Sequence, residues 1–400
     1  MVNIDLISII VFYGILLIFF FKNKKRFTIQ SKVFALYKTK LGINLMDRIA
    51  QKFPRFMKVV GYFGTFVGFA GMIFIFFFLI KETLKFLYKP GAQPPLAPVL
   101  PGVHIPGAPT LSFWHWIIAI FIVAIVHEFS HGMLARTHKI KIKSSGFAFL
   151  GPILAAFVEP DEKQLNKKPL IQQLSVFAAG PFSNIVLGFL FLLILSNITA
   201  PIAASFYLPA GITVNGYLEG YPAEKSGVDL PFTILSINNK PTKDFIGFLN
   251  VTTKIKPGDE VYISTDKGNF SLVAAANPEN KSRGFMGVTG FQQKKDVKEK
   301  YKGKEVWVKV FMWFNLLIMW LFLINIGVGL FNLLPLGPVD GGRMFMTTAL
   351  AIFKDKRVAL RIFAIVSWIC LLLIFINLWP WIVKLFNWIV KIFILLIALI

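Results

Sequence analysis

The sequence predicts a polytopic α-helical membrane protein with a small α/β soluble domain inserted in it, on three observations. Hydrophobic residues make up 56% of the 400 residues and mean hydropathy is +0.65, outside the soluble range. Apolar runs long enough to cross a bilayer recur along the chain. From about residue 196 to 307 they give way to short β-branched runs punctuated by Asn, Asp, Gly and Lys, as in a water-soluble insert.

In chain order, residues 6–21 predict an N-terminal anchor, because no basic residue precedes the run and no small-residue cleavage site follows it. Residues 59–80, 113–133, 171–195, 308–335 and 362–378 predict spans. Residues 381–400 predict a last span or, given Lys384 and Lys391, an interfacial helix. The stretch 89–110 holds seven prolines and predicts an extended external connector. Residues 145–160 are apolar but broken by Gly146, Gly151 and Pro152. They predict a re-entrant hairpin shielded by protein, or a loop on the membrane surface. In the insert, 233–237 predicts a strand, Asn238-Asn239 a tight turn and 242–252 a helix, while 260–265 and 269–274 predict a hairpin about Asp266-Lys267-Gly268. The predicted organisation is an anchor region over 1–111, a first part of the membrane core over 112–198, the soluble domain over 211–290, a basic linker over 291–306, a second part of the core over 307–358 and C-terminal transmembrane helices over 359–400.

A formal charge of +23 raises the question of nucleic acid, but the basic residues gather at membrane boundaries, so the lipid bilayer and not nucleic acid is the expected partner. Eleven Lys and Arg lie within 22–58, seven within 136–168 and five within 343–361, against three within 81–111. The three rich loops are expected in the cytoplasm of a cell-membrane protein, with the insert outside. The seven lysines of 294–309 dissent, though a long insert counts little under a rule written for short loops.

Residues His127-Glu128-Phe129-Ser130-His131 close the apolar run that starts at Phe113. On a helix, i and i+4 share a face, so His127 and His131 can offer two imidazoles to one zinc with Glu128 beside it as general base. Asp340 is the other carboxylate at membrane depth, a placement costing roughly 2.5–3.5 kcal/mol on the insertion scale. It is the expected third metal ligand; the alternative is a cap for the helix after Leu334-Pro335-Leu336-Gly337-Pro338. His115 lies about 18 Å from His127 along one straight helix, and His104 and His138 are assigned no metal. The single cysteine, Cys370, excludes an intramolecular disulfide and cysteine-rich zinc sites.

Two resemblances follow. Residues 220–228, Gly-Tyr-Pro-Ala-Glu-Lys-Ser-Gly-Val, with Ile234-Leu235-Ser236-Ile237-Asn238-Asn239-Lys240-Pro241, resemble a PDZ domain of bacterial-type proteases, implying peptide addition at a sheet edge; a passive spacer is the alternative. The motif at 127–131, then Ala179-Gly180-Pro181-Phe182-Ser183-Asn184, then Asn332-Leu333-Leu334-Pro335-Leu336-Gly337-Pro338-Val339-Asp340-Gly341, resemble the site-2 protease family of zinc intramembrane metalloproteases over about residues 117–346. The resemblance implies one Zn2+ per chain, metal ligands His127, His131 and Asp340, and catalytic Glu128 and Asn332. It further implies single-pass membrane substrates already trimmed by another protease. Asn332 is placed to bond the substrate carbonyl, or else packs between spans; Asn184 suits helix packing. Two other readings remain: a non-enzymatic, metal-stabilised membrane scaffold, and a membrane zinc protease facing the cytosol.

Overall fold

In the computed structural model, which describes residues 4–30, 34–103, 105, 108–150, 153–353 and 355–397, the chain divides into two compact units. One comprises residues 1–195 and 316–400, the other residues 196–315.

The first unit opens on the apolar helix α1 (Ile4–Lys22) and the strands β1 (Phe27–Gln30) and β2 (Phe34–Thr39). Helix α2 (Ile43–Lys52) leads into α3 (Pro54–Tyr88), which has Pro54 at its first position, where the missing N–H costs nothing. The described residues of the proline-rich stretch that follows form no helix; His104 lies outside the described residues. Next come α4 (Phe113–Thr137), β3 (Ile142–Leu150), β4 (Ile153–Pro160), α5 (Glu162–Leu165) and α6 (Leu170–Ile194).

Strands β1 to β4 form an antiparallel sheet in that order. Residues 145–150 and 153–160 thus pair as the two arms of a β-hairpin, and β1 and β2, within the basic stretch 22–58, extend its sheet. Gly146 permits the close approach of β2, since a Cβ there would fall 2.0 Å from the Tyr37 carbonyl oxygen. Glu159 ties three strands, accepting from Ser144 Oγ at 2.6 Å and pairing with Lys38 Nζ at 3.0 Å. The Ser144 hydroxyl first, and Lys38 after it, hold its carboxyl below the usual range. Along α3, Gly61, Gly64 and Gly68 bring that helix against α4 and α6; a Cβ at these positions would meet Leu134, Phe182 or Ala178 within 3.3 Å.

The chain continues from α6 through a π-helical stretch, Leu195–Thr199, to α7 (Ala200–Ser205). The second unit is built from β5 (Tyr207–Val214), β6 (Gly216–Tyr217), α8 (Pro222–Lys225), β7 (Phe232–Ile237), β8 (Lys240–Pro241), α9 (Phe245–Thr252), β9 (Glu260–Thr265), β10 (Gly268–Val273), β11 (Ala275–Ala276), β12 (Gly284–Phe285), β13 (Val288–Thr289) and β14 (Gln292–Val297). Its main sheet runs β10-β9-β7-β5-β14, antiparallel throughout. Ile212, Phe232, Ile234, Ile237, Val261 and Ile263 fill its core. Asn238 and Asn239 take φ of 47° and 58°, the left-handed pair a two-residue hairpin turn requires. Helix α9 starts at Phe245, not at residue 242, because Asp244 caps it, its carboxylate accepting from the Gly247 amide at 2.7 Å.

Helix α10 (Glu305–Asn332) returns the chain to the first unit, followed by α11 (Asp340–Ile352) and α12 (Lys356–Ile397). The two C-terminal helices expected over 359–400 are corrected to one: α12 runs straight through Pro380. An apolar environment offers the backbone no alternative partner, so a helix persists where water would let it break. Among the described residues six helices are long and apolar enough to cross a membrane: α1, α3, α4, α6 with its extension, α10 and α12.

Candidate metal centre

Helix α4 carries His127 and His131 one turn apart, and α11 brings Asp340 to them from 213 residues further along the chain. His127 Nε2 lies 3.0 Å from Asp340 Oδ2, His131 Nε2 lies 3.3 Å from the same oxygen, and the two Nε2 atoms are 3.1 Å apart. The side chains are 11%, 11% and 15% exposed, so bulk water contributes little to solvating them.

The second nitrogen of each ring fixes what the first presents. His131 Nδ1 lies 2.7 Å from the Val176 carbonyl oxygen; a carbonyl only accepts, so Nδ1 carries the proton and, in the neutral ring, Nε2 offers a lone pair. His127 Nδ1 lies 3.0 Å from the amide nitrogen of Asn184, whose Oδ1 is buried without a partner. With that amide turned, Oδ1 accepts from Nδ1–H and His127 Nε2 is left as a second lone pair. Two nitrogen lone pairs and a carboxylate oxygen thus converge, an arrangement that is repulsive unless a cation lies among them. A tetrahedral zinc with bonds of about 2.0–2.1 Å would set such donors about 3.3 Å apart, and all three atoms lie within 4.8 Å of one another. The residues fit the ion.

Local sequence explains the placement. Helix α6 reaches the rings at Gly180, where a Cβ would stand 2.4 Å from His131 Nε2 and 2.5 Å from His127 Nε2. Gly180→Ala is therefore expected to weaken zinc binding about 10-fold or more, measured by competition with a chromogenic chelator, by the order of cost that attends disturbed ligand support. At Gly341 and Gly342 a Cβ would lie 2.3 Å from the Leu333 carbonyl and 2.0 Å from that of Leu336, so the segment before α11 folds directly onto the helix start. Asp340 is the first residue of α11; Val339 occupies the cap position and the Asp340 carboxylate goes to the imidazoles instead of capping. The positive end of the helix favours that charge. Arg343, one turn on, donates to both Glu162 oxygens at 2.8 and 2.9 Å and lies 4.2 Å over the Phe177 ring, fixing α11 to α5 and α6.

Glu128 accepts from the Val158 amide of β4 at 2.9 Å and lines a small cavity beside that strand. Asn332 is the last residue of α10; among the described residues no hydrogen bond joins its amide to the cluster. Asn184, read as a packing residue, is instead the partner of His127, which its spacing in the sequence does not reveal. The other described histidines stand apart. His115 pairs with Ser112 at 2.5 Å. His138 is buried, bonded to Ser175 Oγ at 2.8 Å and stacked on Tyr62; burial, then the charges of Lys58 and Lys168, push it down to about 4, so it stays neutral. Cys370 is a free, buried thiol.

The model of Peptidase family M50, the site-2 protease family of membrane metalloproteases, matches residues 115–377, and the chain belongs to that family. It is an integral membrane protein of metalloprotease descent. An uncharacterized protein of Methanocaldococcus jannaschii is 26% identical over 314 residues, 77% of this chain and 76% of that one. The zinc metalloprotease RasP of Shouchella clausii is 30% identical over 145 residues, 34% of this chain and 32% of its own length.

Proposed function

We propose that this protein is an intramembrane zinc metalloprotease that holds one zinc per chain through His127, His131 and Asp340 and hydrolyses peptide bonds in the transmembrane segments of membrane-anchored regulatory proteins. The observation that carries this reading is the convergence of three lone-pair donors, drawn from helices α4 and α11, beside a carboxylate that is not one of them. When bound, zinc supplies the Lewis acidity that makes water a nucleophile at neutral pH.

The protein's own groups do the remaining work. Val176 and Asn184 hold the two imidazoles in the tautomer that binds metal. The Val158 amide aims the Glu128 carboxylate, which takes the proton of the attacking water and delivers it to the departing amide nitrogen. Asn332, the last residue of α10, donates to the substrate carbonyl oxygen as it gains charge. A transmembrane helix hides its carbonyls in internal hydrogen bonds, so the substrate must unwind; the hairpin β3–β4 captures the extended segment by strand addition. The test pairs zinc analysis of the purified protein with cleavage of candidate single-span substrates; a chain that binds no zinc and cuts none of them refutes the reading.

The insert over 211–290 acts as a PDZ domain on the outer side of the cell membrane, with the metal centre towards the cytoplasm, and bars substrates that another protease has not yet trimmed. Support comes from its antiparallel sheet, its two short helices and the motif at 220–228. Deleting 211–290 is expected to let untrimmed substrates be cut at a rate within about threefold of trimmed ones, read on gels of co-expressed protein pairs. Selectivity that survives the deletion rules out the gate.

A further inference from the structure

Glu128 lines a cavity of about 110 Å³ whose other walls include Met46 from α2, Phe129 from α4, Phe147 from β3, and Ala156 and Val158 from β4. That is the room of about four waters at ~30 Å³ each, in an open cavity lined mostly by apolar side chains: a volume suited to a branched aliphatic group and too small for an indole. The cavity opens beside the end strand of the sheet. Because the Val158 N–H is given to Glu128, it is not spent on β3. In an antiparallel pair the N–H and C=O of one residue point the same way, so the Val158 carbonyl faces outward, as do the polar groups of Ala156 two residues away. Backbone groups able to seat an extended peptide thus flank both the cavity and the base.

One wall comes from outside the family region, which begins at residue 115. Met46 is 2% exposed. It is admitted against α4 by Gly132, where a Cβ would stand 2.6 Å from its sulfur, and α2 is tied to α4 by the ion pair of Asp47 with Arg136.

We propose that this cavity is a specificity subsite: it receives the apolar, medium-sized side chain of the substrate residue next to the scissile bond while the substrate backbone lies along the outer edge of β4. The proposal rests on the protease reading. The N-terminal region thereby sets the size limit of the subsite, with Met46 as the residue that decides it.

The full-length protein in lipid bilayers is given a panel of single-span substrates varied at each position around the cut, with products read by mass spectrometry. The wild type is expected to favour Val, Leu and Ile over Trp, Lys and Asp at one position flanking the cut. Met46→Ala enlarges the cavity and should shift the Phe-to-Val preference there about 10-fold towards Phe, while Ala156→Leu narrows it and should shift the Leu-to-Ala preference about 10-fold towards Ala. If Met46→Ala unfolds, Phe147→Ala enlarges the same cavity from β3 and carries the same expectation. Opposite shifts at one substrate position support the subsite. Unchanged preferences in variants that still cleave overturn it and leave the protease reading standing. A wild type that cleaves no better than Glu128→Gln overturns that reading and the subsite with it.

Discussion

Glu128→Gln is expected to retain its zinc and to lose roughly 10²–10⁴-fold in the rate of substrate cleavage, the range a positioned general base contributes. Glutamine keeps the length and an acceptor oxygen, so the bond from the Val158 amide survives and β4 stays where it is. What glutamine cannot do is take a proton. Because Glu128 is not among the three converging donors, metal content should remain near one ion per chain by atomic absorption while initial rates fall. A scaffold that merely uses metal for stability would lose nothing measurable in the same experiment. Unchanged cleavage by the variant would falsify the assignment of Glu128 as base.

Asp340→Asn should act earlier, on the metal itself. The amide matches the carboxylate in shape but not in charge, and it removes the anion that lies 3.0 and 3.3 Å from the two imidazole nitrogens. Zinc affinity is expected to fall by about 100-fold or more, beyond the 10–100-fold usual for groups that merely support a ligand. Cleavage should fall with it and be only partly restored by excess zinc. Helix α11 is anchored independently by Arg343 on Glu162 and Phe177, so helical content by circular dichroism should not change. Full zinc occupancy in this variant would show that the ion sits elsewhere.

Much of this was legible in the sequence for physical reasons. The i, i+4 spacing of His127 and His131 dictates a common helical face, and the cost of a carboxylate at membrane depth singled out Asp340 without any view of its 213-residue separation from His127. Length and apolar composition located the spanning helices because each is a local property. The hairpin β1–β2 escaped because its strands have only four and six residues. The merging of the last two spans across Pro380 escaped because proline reads as a breaker until the absence of water is taken into account. Asn184 escaped because a polar amide in a span suits helix packing and ligand support equally well. Only its 3.0 Å approach to His127 Nδ1 distinguishes them. Met46 lay beyond any motif, since its contact with Gly132 is made in three dimensions alone.

The long gap between α4 and α11 has a consequence for biogenesis. When His127 and His131 leave the ribosome, their carboxylate partner, 213 residues further along, is still untranslated. At 5–20 residues per second the ribosome takes roughly 10–40 s to supply it. For that interval the nascent chain holds two of the three converging donors and lacks the third. On the proposed ligand set, metal capture waits for the segment that carries Asp340.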